Sequence, residues 1–492
     1  MTAVLNSVSV LHVEPIESID PTGPRDAMHR AFDVQRTAFA ADMAPSYAMR
    51  LDRLDRLFAM TERIAPALES AASADFGHRP VQVTRLADVM MVLSAIKHAR
   101  RHLKSWMKVR RAPTAMAFWP GANRIVAQPL GVVGVVSPWN YPYQLAMGPA
   151  IAALAAGNRV MIKPSELTPR TSELMLQAVA ETFAPDEMTV VTGDADIGSA
   201  FVAMPFDHLL FTGSTAVGRH VALAAAANLT PVTLELGGKS PALLSPDVDM
   251  THAAARLVMG KLFNAGQTCI APDYVAVHRP AIDAFVDAMR LAVPLQYPTI
   301  AGNADYTGIV SERHFTRLQA LVDDALLRGA RVVPLHPEGL VAHADTRTFP
   351  PMLILGATDD MRVMQEEIFG PLLPVLAYDA LDDAIGYVNR HERPLALYWF
   401  GADKADRDKV LARTISGGVT VNDCMWHFGQ EDLPFGGVGA SGMGAYHGEY
   451  GFRTFSMNKP VFFQSPLSGT RLLFPPYGKT FERMTRLLKI IT

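Results

Sequence analysis

Between Gly131 and Leu236, five short apolar runs alternate with helical stretches, and this alternation restricts the fold more than any other feature of the chain. The runs are Gly131–Val136, Arg159–Ile162, Met188–Val191, His208–Phe211 and Pro231–Leu236. Between them lie helical patterns over Ala146–Ala156, Thr171–Phe183, Asp196–Val202 and Thr215–Ala227. Each run is too short for a helix and too continuously apolar for a half-solvated strand. Strands joined through helices form a parallel sheet with right-handed crossovers. Such a sheet binds its ligand at the carboxyl ends of its strands.

A second alternation follows. Tyr274–His278, Ala330–Pro334, Met352–Leu355 and Pro374–Tyr378 read as strands, and Ala281–Val293 and Arg313–Leu327 as helices. The fold class is α/β, with two doubly wound parallel-sheet domains. Upstream, residues 1–24 contain Pro15, Pro21 and Pro24 and read as an extended arm. A helical pattern begins at Asp26, and Leu51, Leu54, Phe58, Ile64 and Leu68 keep the spacing of a buried stripe, which Pro66 is expected to break. A further helix fits Thr84–Lys108, with Leu86, Met90, Leu93 and Ile96 on one face. At the C-terminus, Met484, Leu487, Leu488 and Ile491 among basic residues predict an amphipathic helix over Phe481–Thr492, docked on the body or on a partner subunit.

The composition narrows the function classes. Lys and Arg number 45 against 48 Asp and Glu, so no basic field awaits nucleic acid or an acidic membrane. Charged residues are 19 %, below the roughly 25 % of ordinary globular chains, which fits a large core and a subunit interface. The two cysteines, Cys269 and Cys424, exclude a disulfide scaffold and a C-x-x-C site. The uncharged stretch Ile125–Asn158 is broken by Pro129, Pro138, Pro142 and Pro149 and cannot be one spanning helix. The start of the chain lacks a secretory pattern, so a cytoplasmic location is expected. No metal-ligand pattern is evident.

The chemistry-bearing residues gather at strand ends. Cys269 closes Phe263-Asn-Ala-Gly-Gln-Thr-Cys269, a polar flexible loop suited to an accessible thiol. Glu235 ends an apolar run and precedes two glycines; burial there would raise its pKa and make it a general base. Phe211-Thr-Gly213-Ser214-Thr-Ala-Val-Gly218 joins a run to a helix, where backbone N–H groups attract phosphate. Asn140 follows Trp139 after another run and is either a turn residue or an amide donor to an oxyanion. Lys163 and Glu166 close the next run and suit ribose hydroxyls. Glu366-Glu367-Ile-Phe369-Gly-Pro371 sets carboxylates beside an aromatic ring at a turn. Each motif alone also fits a packing turn or a solvated loop.

In combination, the series PWN, KPSE, FTGST, ELGGKSP, GQTC and EEIFGP closely resembles the aldehyde dehydrogenase superfamily over about residues 30–480. Leu433–Gly448 and Gly266–Tyr274 resemble the class 3 group, especially its bacterial coniferyl aldehyde dehydrogenase branch. The resemblance implies Cys269 as nucleophile, Asn140 with the Cys269 N–H as oxyanion hole, and Glu235 as base for thioester hydrolysis. It implies NAD as cofactor, with NADP as the alternative. Lys163 and Glu166 would hold the adenine-side ribose, with Gly213, Ser214 and Gly218 at the pyrophosphate. Glu367 would hold the nicotinamide ribose, with Phe369 and Trp139 beside the ring. Tyr141, Leu145, Phe263, Trp426, His427 and Phe428 would line a substrate funnel. These are mostly aromatic or apolar and none is an Arg, which points to an aromatic or medium-chain aldehyde, coniferyl aldehyde-like, rather than a carboxylate-bearing semialdehyde. A thiol esterase and a non-catalytic binding protein are the alternatives. Cys424 reads as a packing residue. The implied organisation is a cofactor domain over 25–111 and 130–237, a catalytic domain over 238–440, and an oligomerisation sheet from 112–129 and 458–475. A homodimer is expected, with a tetramer as the alternative.

Overall fold

The computed structural model describes residues 23–339 and 341–491. Of the arm expected over 1–24, only Gly23 and Pro24 fall within them; the rest lies outside the described residues. Two large sheets form the body. The first has six strands in the order Gly442–Met443, Val232–Glu235, His208–Thr212, Val132–Val136, Arg159–Lys163 and Met188–Val190. All are parallel except Gly442–Met443, which lies antiparallel on Val232–Glu235. All five runs give strands within a residue of the expected bounds, and helices fill every gap between them. The last, Pro231–Leu236, loses one residue at each end and spans Val232–Glu235.

The second sheet runs Arg331–Pro334, Met352–Leu355, Leu372–Tyr378, Tyr274–His278, Pro241–Leu244, Ala396–Phe400 and Gly418–Val421. Only Arg331–Pro334 is antiparallel. This is mixed α/β architecture with two parallel-rich sheets, as the alternation predicts. A third, small antiparallel sheet joins Arg110–Ala112, Ala122–Pro129 and Ser456–Phe463, and leaves Met457, Phe462 and Phe463 exposed. The C-terminal helix spans Lys479–Ile491. No described helix is long and apolar enough to cross a membrane.

Two local expectations are corrected. Pro66 does not break its helix, which runs unbroken over Tyr47–Asp75. Its missing N–H frees only the Glu62 carbonyl, and both residues face solvent, where water replaces the bond. The buried stripe Leu54, Leu57, Ile64, Leu68 on the opposite face carries the helix through. The face expected for Leu86, Met90, Leu93 and Ile96 is also displaced. Arg85–Met90 is a π-helical turn, whose extra residue per turn shifts the register. Met90 is therefore exposed, and the stripe becomes Val89, Val92, Ile96, Ala99 and Leu103.

The π-helical turn also places Asp88 in the core. Its Oδ1 accepts the backbone N–H groups of Tyr143 (3.1 Å) and Gln144 (3.0 Å), at the start of the helix Gln144–Ala156. Its Oδ2 accepts Arg79 Nη2 at 3.0 Å, and both side chains are fully buried. Burial raises the Asp88 pKa, and Arg79 with the two N–H groups pulls it back. The Arg79 guanidinium lies 5.0 Å from the Phe76 ring and 5.2 Å from the Tyr141 ring. The pair thereby fixes the segment from Asn140 to Gln144. Asp88→Ala leaves the Arg79 charge buried and unpaired, and is expected to cost about 3–5 kcal/mol in urea unfolding. A loss below about 1 kcal/mol would show the pair to be idle.

Candidate active site

The loop carrying Cys269 is built from unusual backbone. Asn264, Ala265 and Gly266 take φ of 53°, 53° and 75°, three left-handed residues in succession. A Cβ on Gly266 would collide with the Gly370 carbonyl, so only glycine allows this loop to touch the Glu366–Pro371 turn. Gln267 clamps the arrangement. Its Nε2 donates to Asn264 O (3.1 Å) and Gly308 O (3.0 Å), and its Oε1 accepts the Val310 N–H (2.9 Å). Its carbonyl accepts Asn140 Nδ2 (3.1 Å) and Asn264 Nδ2 (3.3 Å). Asn140, which follows a strand of the first sheet, is thus tied to the cysteine loop. Tyr141 adds a second tie, its hydroxyl 2.6 Å from Thr268 Oγ1.

Cys269 stands where two cavities of opposite character meet. The first is a cleft of about 280 Å³ lined by Trp139, Asn140, Gly213, Ser214, Glu235 and Glu367, with Phe369, Thr212, His314 and Arg317 also on its wall. The second is a narrow apolar cavity of about 90 Å³ lined by Tyr141, Leu145, Phe263, Trp426 and Phe428, together with Met91, Met259 and Met425. No charged side chain among the described residues lines the second cavity.

His427, expected in the funnel, is placed elsewhere. Its Nδ1 meets Thr420 Oγ1 at 2.8 Å and its ring stacks near Phe435, so it packs behind the loop that presents its neighbours Trp426 and Phe428. Gly218 is buried in the helix Thr215–Ala227, where a Cβ would strike Leu236; it is a packing point behind the cleft. Lys163 and Glu166 stand beyond the cleft's lining, with their charges 3.9 Å apart at the end of Arg159–Lys163. Cys424 is buried against Gly260 and lines neither cavity.

The electrostatics set three acidic groups together in a dry place. Glu235 is 2 % exposed and neither carboxylate oxygen has a hydrogen-bond partner among the described residues. Burial alone pushes its pKa well up. Glu367 is pushed up to about 8 by burial and then by Asp273, against the Gly238 N–H, Lys239 and Arg317. The Cys269 thiol is raised by burial and then by the charges of Glu367 and Glu235, while the N–H groups of Cys269 and Ile270 favour the thiolate. The resting thiol is therefore protonated.

Several residues that build the site carry no individual signal in the sequence. Lys239 reaches Asp273, Val363 O (2.8 Å) and Glu366 O (3.1 Å), while Asp273 Oδ1 accepts the Ile368 N–H (2.9 Å). Arg317 donates to Glu366 Oε2 (3.2 Å) and Glu367 O (3.1 Å). Together they fix the turn that offers Glu367. His314 meets the Trp139 ring edge at 5.0 Å, as does Phe369 at 5.3 Å. His314 and Arg317 share a helix face three residues apart, a spacing a search for cleft-lining pairs would find.

A thiol raised this way should react more slowly than a free one. Inactivation by iodoacetamide is expected to accelerate with pH, with no plateau below the ordinary thiol value of 9.0. All label should fall on Cys269 and none on Cys424, which is 1 % exposed. A plateau near neutrality would contradict the assigned electrostatics.

Comparisons with known proteins follow this geometry. The aldehyde dehydrogenase family model matches residues 8–461. A probable coniferyl aldehyde dehydrogenase of Pseudomonas aeruginosa is 50 % identical over 453 residues, covering 92 % of this chain and 94 % of that protein. A coniferyl aldehyde dehydrogenase of a Pseudomonas species is 48 % identical over 461 residues, covering 93 % and 95 %. Among solved structures, the substrate-bound AldH of Staphylococcus aureus superposes with a TM-score of 0.89 at 35 % identity, covering 94 % of this chain and 99 % of that one. An indole-3-acetaldehyde dehydrogenase of Pseudomonas syringae, in complex with NAD+ and IAA, gives 0.81 at 26 % identity, covering 90 % and 89 %. The motifs at the strand ends, the α/β architecture and these relatives agree: the chain belongs to the aldehyde dehydrogenase family.

Proposed function

We propose that the protein oxidises an aromatic or medium-chain apolar aldehyde, of the coniferyl aldehyde type, to its carboxylic acid with NAD as hydride acceptor and NADP as the alternative. The observation that carries the reading is the meeting of a polar cleft and an apolar cavity at one cysteine. A hydride acceptor must come from a cofactor, since no side chain accepts hydride.

The cleft fits such a group. Ser214 caps the helix Thr215–Ala227, whose N-terminal N–H groups suit phosphate oxygens. Thr212 Oγ1 is buried without a partner among the described residues, beside Gly213. A Cβ on Gly237 would run into the Glu367 carboxylate, so the glycine lets that carboxylate reach the cleft wall, where it could take a ribose hydroxyl. Glu166 disfavours a 2′-phosphate by like charge, which supports NAD.

The chain's own residues then divide the chemistry. The Cys269 thiol gives its proton to an ionised Glu235 or Glu367, the two carboxylates whose charges bear on it, and that proton leaves to solvent before hydrolysis begins. Its sulfur bonds the carbonyl carbon, and the resulting oxyanion is held by Asn140 Nδ2 and the Cys269 N–H. A bound NAD would supply the hydride acceptor through which the Cys269 thiohemiacetal becomes a thioester. Glu235 removes a proton from water, the water oxygen adds to the thioester carbon, and the carbon–sulfur bond breaks to release the acid and the thiolate.

Two experiments test this. Cys269→Ala is expected to form no NADH, whereas Glu235→Gln is expected to keep a single-turnover burst of NADH and slow acid release by about 10²- to 10⁴-fold. NADH turnover by Cys269→Ala would end the reading. In a substrate panel, cinnamaldehyde-type and aliphatic aldehydes should exceed succinic semialdehyde in kcat/KM by more than about 100-fold, because the uncharged cavity leaves a carboxylate unpaired. Preference for the semialdehyde would overturn the substrate assignment.

A further inference from the structure

Gln267 holds the segment Gly308–Val310 through Gly308 O and the Val310 N–H. Two further residues hold the same segment, and both wall a separate cleft. The Gly308 N–H donates to His78 O (2.8 Å) and the Ile309 N–H to Arg347 O (2.9 Å). The cleft has a volume of about 830 Å³, larger than either cavity at Cys269, and shares no lining residue with them. The aldehyde chemistry makes no use of it.

Arg347 gives the cleft its character. It belongs to a tight turn closed by the His343 N–H on Thr348 O (2.9 Å) and the Thr348 N–H on His343 O (3.0 Å). Its backbone is left-handed, with φ of 53°, a strained setting for a residue other than glycine. Its guanidinium lies against Gly77, where a Cβ would stand 2.5 Å from Nη2, so only glycine admits it. Among the described residues, no side chain pairs with this half-buried cation. Burial lowers its pKa and no carboxylate raises it back. Glu312 and Asp345 also line the cleft, and neither has an ion-pair partner among the described residues. A guanidinium partly withdrawn from water and left unpaired costs stability, unless an anion from outside meets it.

We propose that this cleft is a second ligand site, for a small phenolic carboxylate, and that its occupancy bears on the cysteine loop through Gly308–Val310. Arg347 takes the carboxylate, since a guanidinium matches two carboxylate oxygens with two N–H groups. Tyr306 and Phe315 offer aromatic wall to the ring. Glu312 and Asp345 accept the phenolic O–H and, by like charge, disfavour a more highly charged anion such as phosphate. The acid released by oxidation of a coniferyl aldehyde-type substrate belongs to this class. Reading the ligand as the enzyme's own product rests on the proposed function; the site itself does not.

The path from cleft to reaction centre consists of contacts. Arg347 O holds Ile309, and Gln267 holds Gly308 and Val310 on either side of it. The Gln267 carbonyl takes Asn140 Nδ2 at 3.1 Å, and Gln267 stands two residues before Cys269. A carboxylate drawn onto Arg347 fixes its turn, and with it the carbonyl that holds Ile309. The clamp is then set more firmly, and the thiol is held in its enclosed position. Product accumulating in the cleft would in this way slow the enzyme without entering the funnel.

Isothermal titration with 4-hydroxycinnamate tests the site without turnover. Wild type is expected to show a component with Kd on the order of 0.1–1 mM. Arg347→Gln should weaken that component about tenfold or more, and Arg347→Lys should keep part of it. Inorganic phosphate should bind more weakly than 4-hydroxycinnamate. Thr316→Trp, which fills the cleft and leaves Arg347 in place, should also remove the component and keeps the test open if Arg347→Gln fails to fold. Alkylation of Cys269 by iodoacetamide reads the coupling. In wild type, 4-hydroxycinnamate should slow it about fivefold beyond the protection that remains in Arg347→Gln, which reports acid bound in the funnel. Equal titrations in wild type, Arg347→Gln and Thr316→Trp overturn the site. Tighter binding of phosphate overturns the carboxylate assignment, and equal protection in wild type and Arg347→Gln overturns the coupling. Absence of NADH formation by wild type would instead sink the proposed function, so the failures are distinct.

Discussion

Everything at the reaction centre depends on the clamp that Gln267 places on a strained turn. Two non-glycine residues in the left-handed region, Asn264 and Ala265, each cost about 1–2 kcal/mol. The bonds of Gln267 to Asn264, Gly308 and Val310, each contributing about 1 kcal/mol, offset much of that cost. The same residue's carbonyl takes the Asn140 amide, so the clamp also joins the sheet that ends in Asn140 to the loop that ends in Cys269. Burial completes the effect, because Gln267 is fully enclosed and water cannot compete for its bonds. The cysteine then has one position, at the junction of the two cavities.

That position is electrostatically unusual. Cys269, Glu235 and Glu367 all lie where burial favours their neutral forms, and no cation among the described residues is paired with Glu235. Each carboxylate, when ionised, is therefore a stronger base than a free one. Such a centre suits an uncharged substrate, because a carboxylate on the substrate would lose its solvation there without a partner.

The sequence displays some of this and conceals the rest for physical reasons. The five runs from Val132 to Glu235 are legible because a strand buried on both faces must be continuously apolar. Cys269, Glu235, Asn140 and Glu367 are legible because ligand chemistry collects where such strands end. Gln267, Lys239, Asp273 and Arg317 are not, because their value lies in partners dozens to more than a hundred residues away. His427 misleads because a loop of adjacent aromatic residues turns its side chains to both sides, and only Trp426 and Phe428 turn toward Cys269. The π-helical turn at Arg85–Met90 is hidden because one extra residue in a helix leaves no mark on composition.

That turn has a further meaning. Leu86 and Ala87 lie within it, Met91 follows it, and all three line the apolar cavity. Downstream, Val92 to Leu103 are locked in the core, so the wall ahead of them hangs from a single inserted residue. Deleting one residue there would restore the α-helical period and swing Leu86 and Ala87 by about a quarter of a turn. It would also carry Asp88 away from the N–H groups of Tyr143 and Gln144. One inserted residue thus couples the wall of the apolar cavity to the seat of Asn140, and chain length here governs substrate shape and reaction centre together.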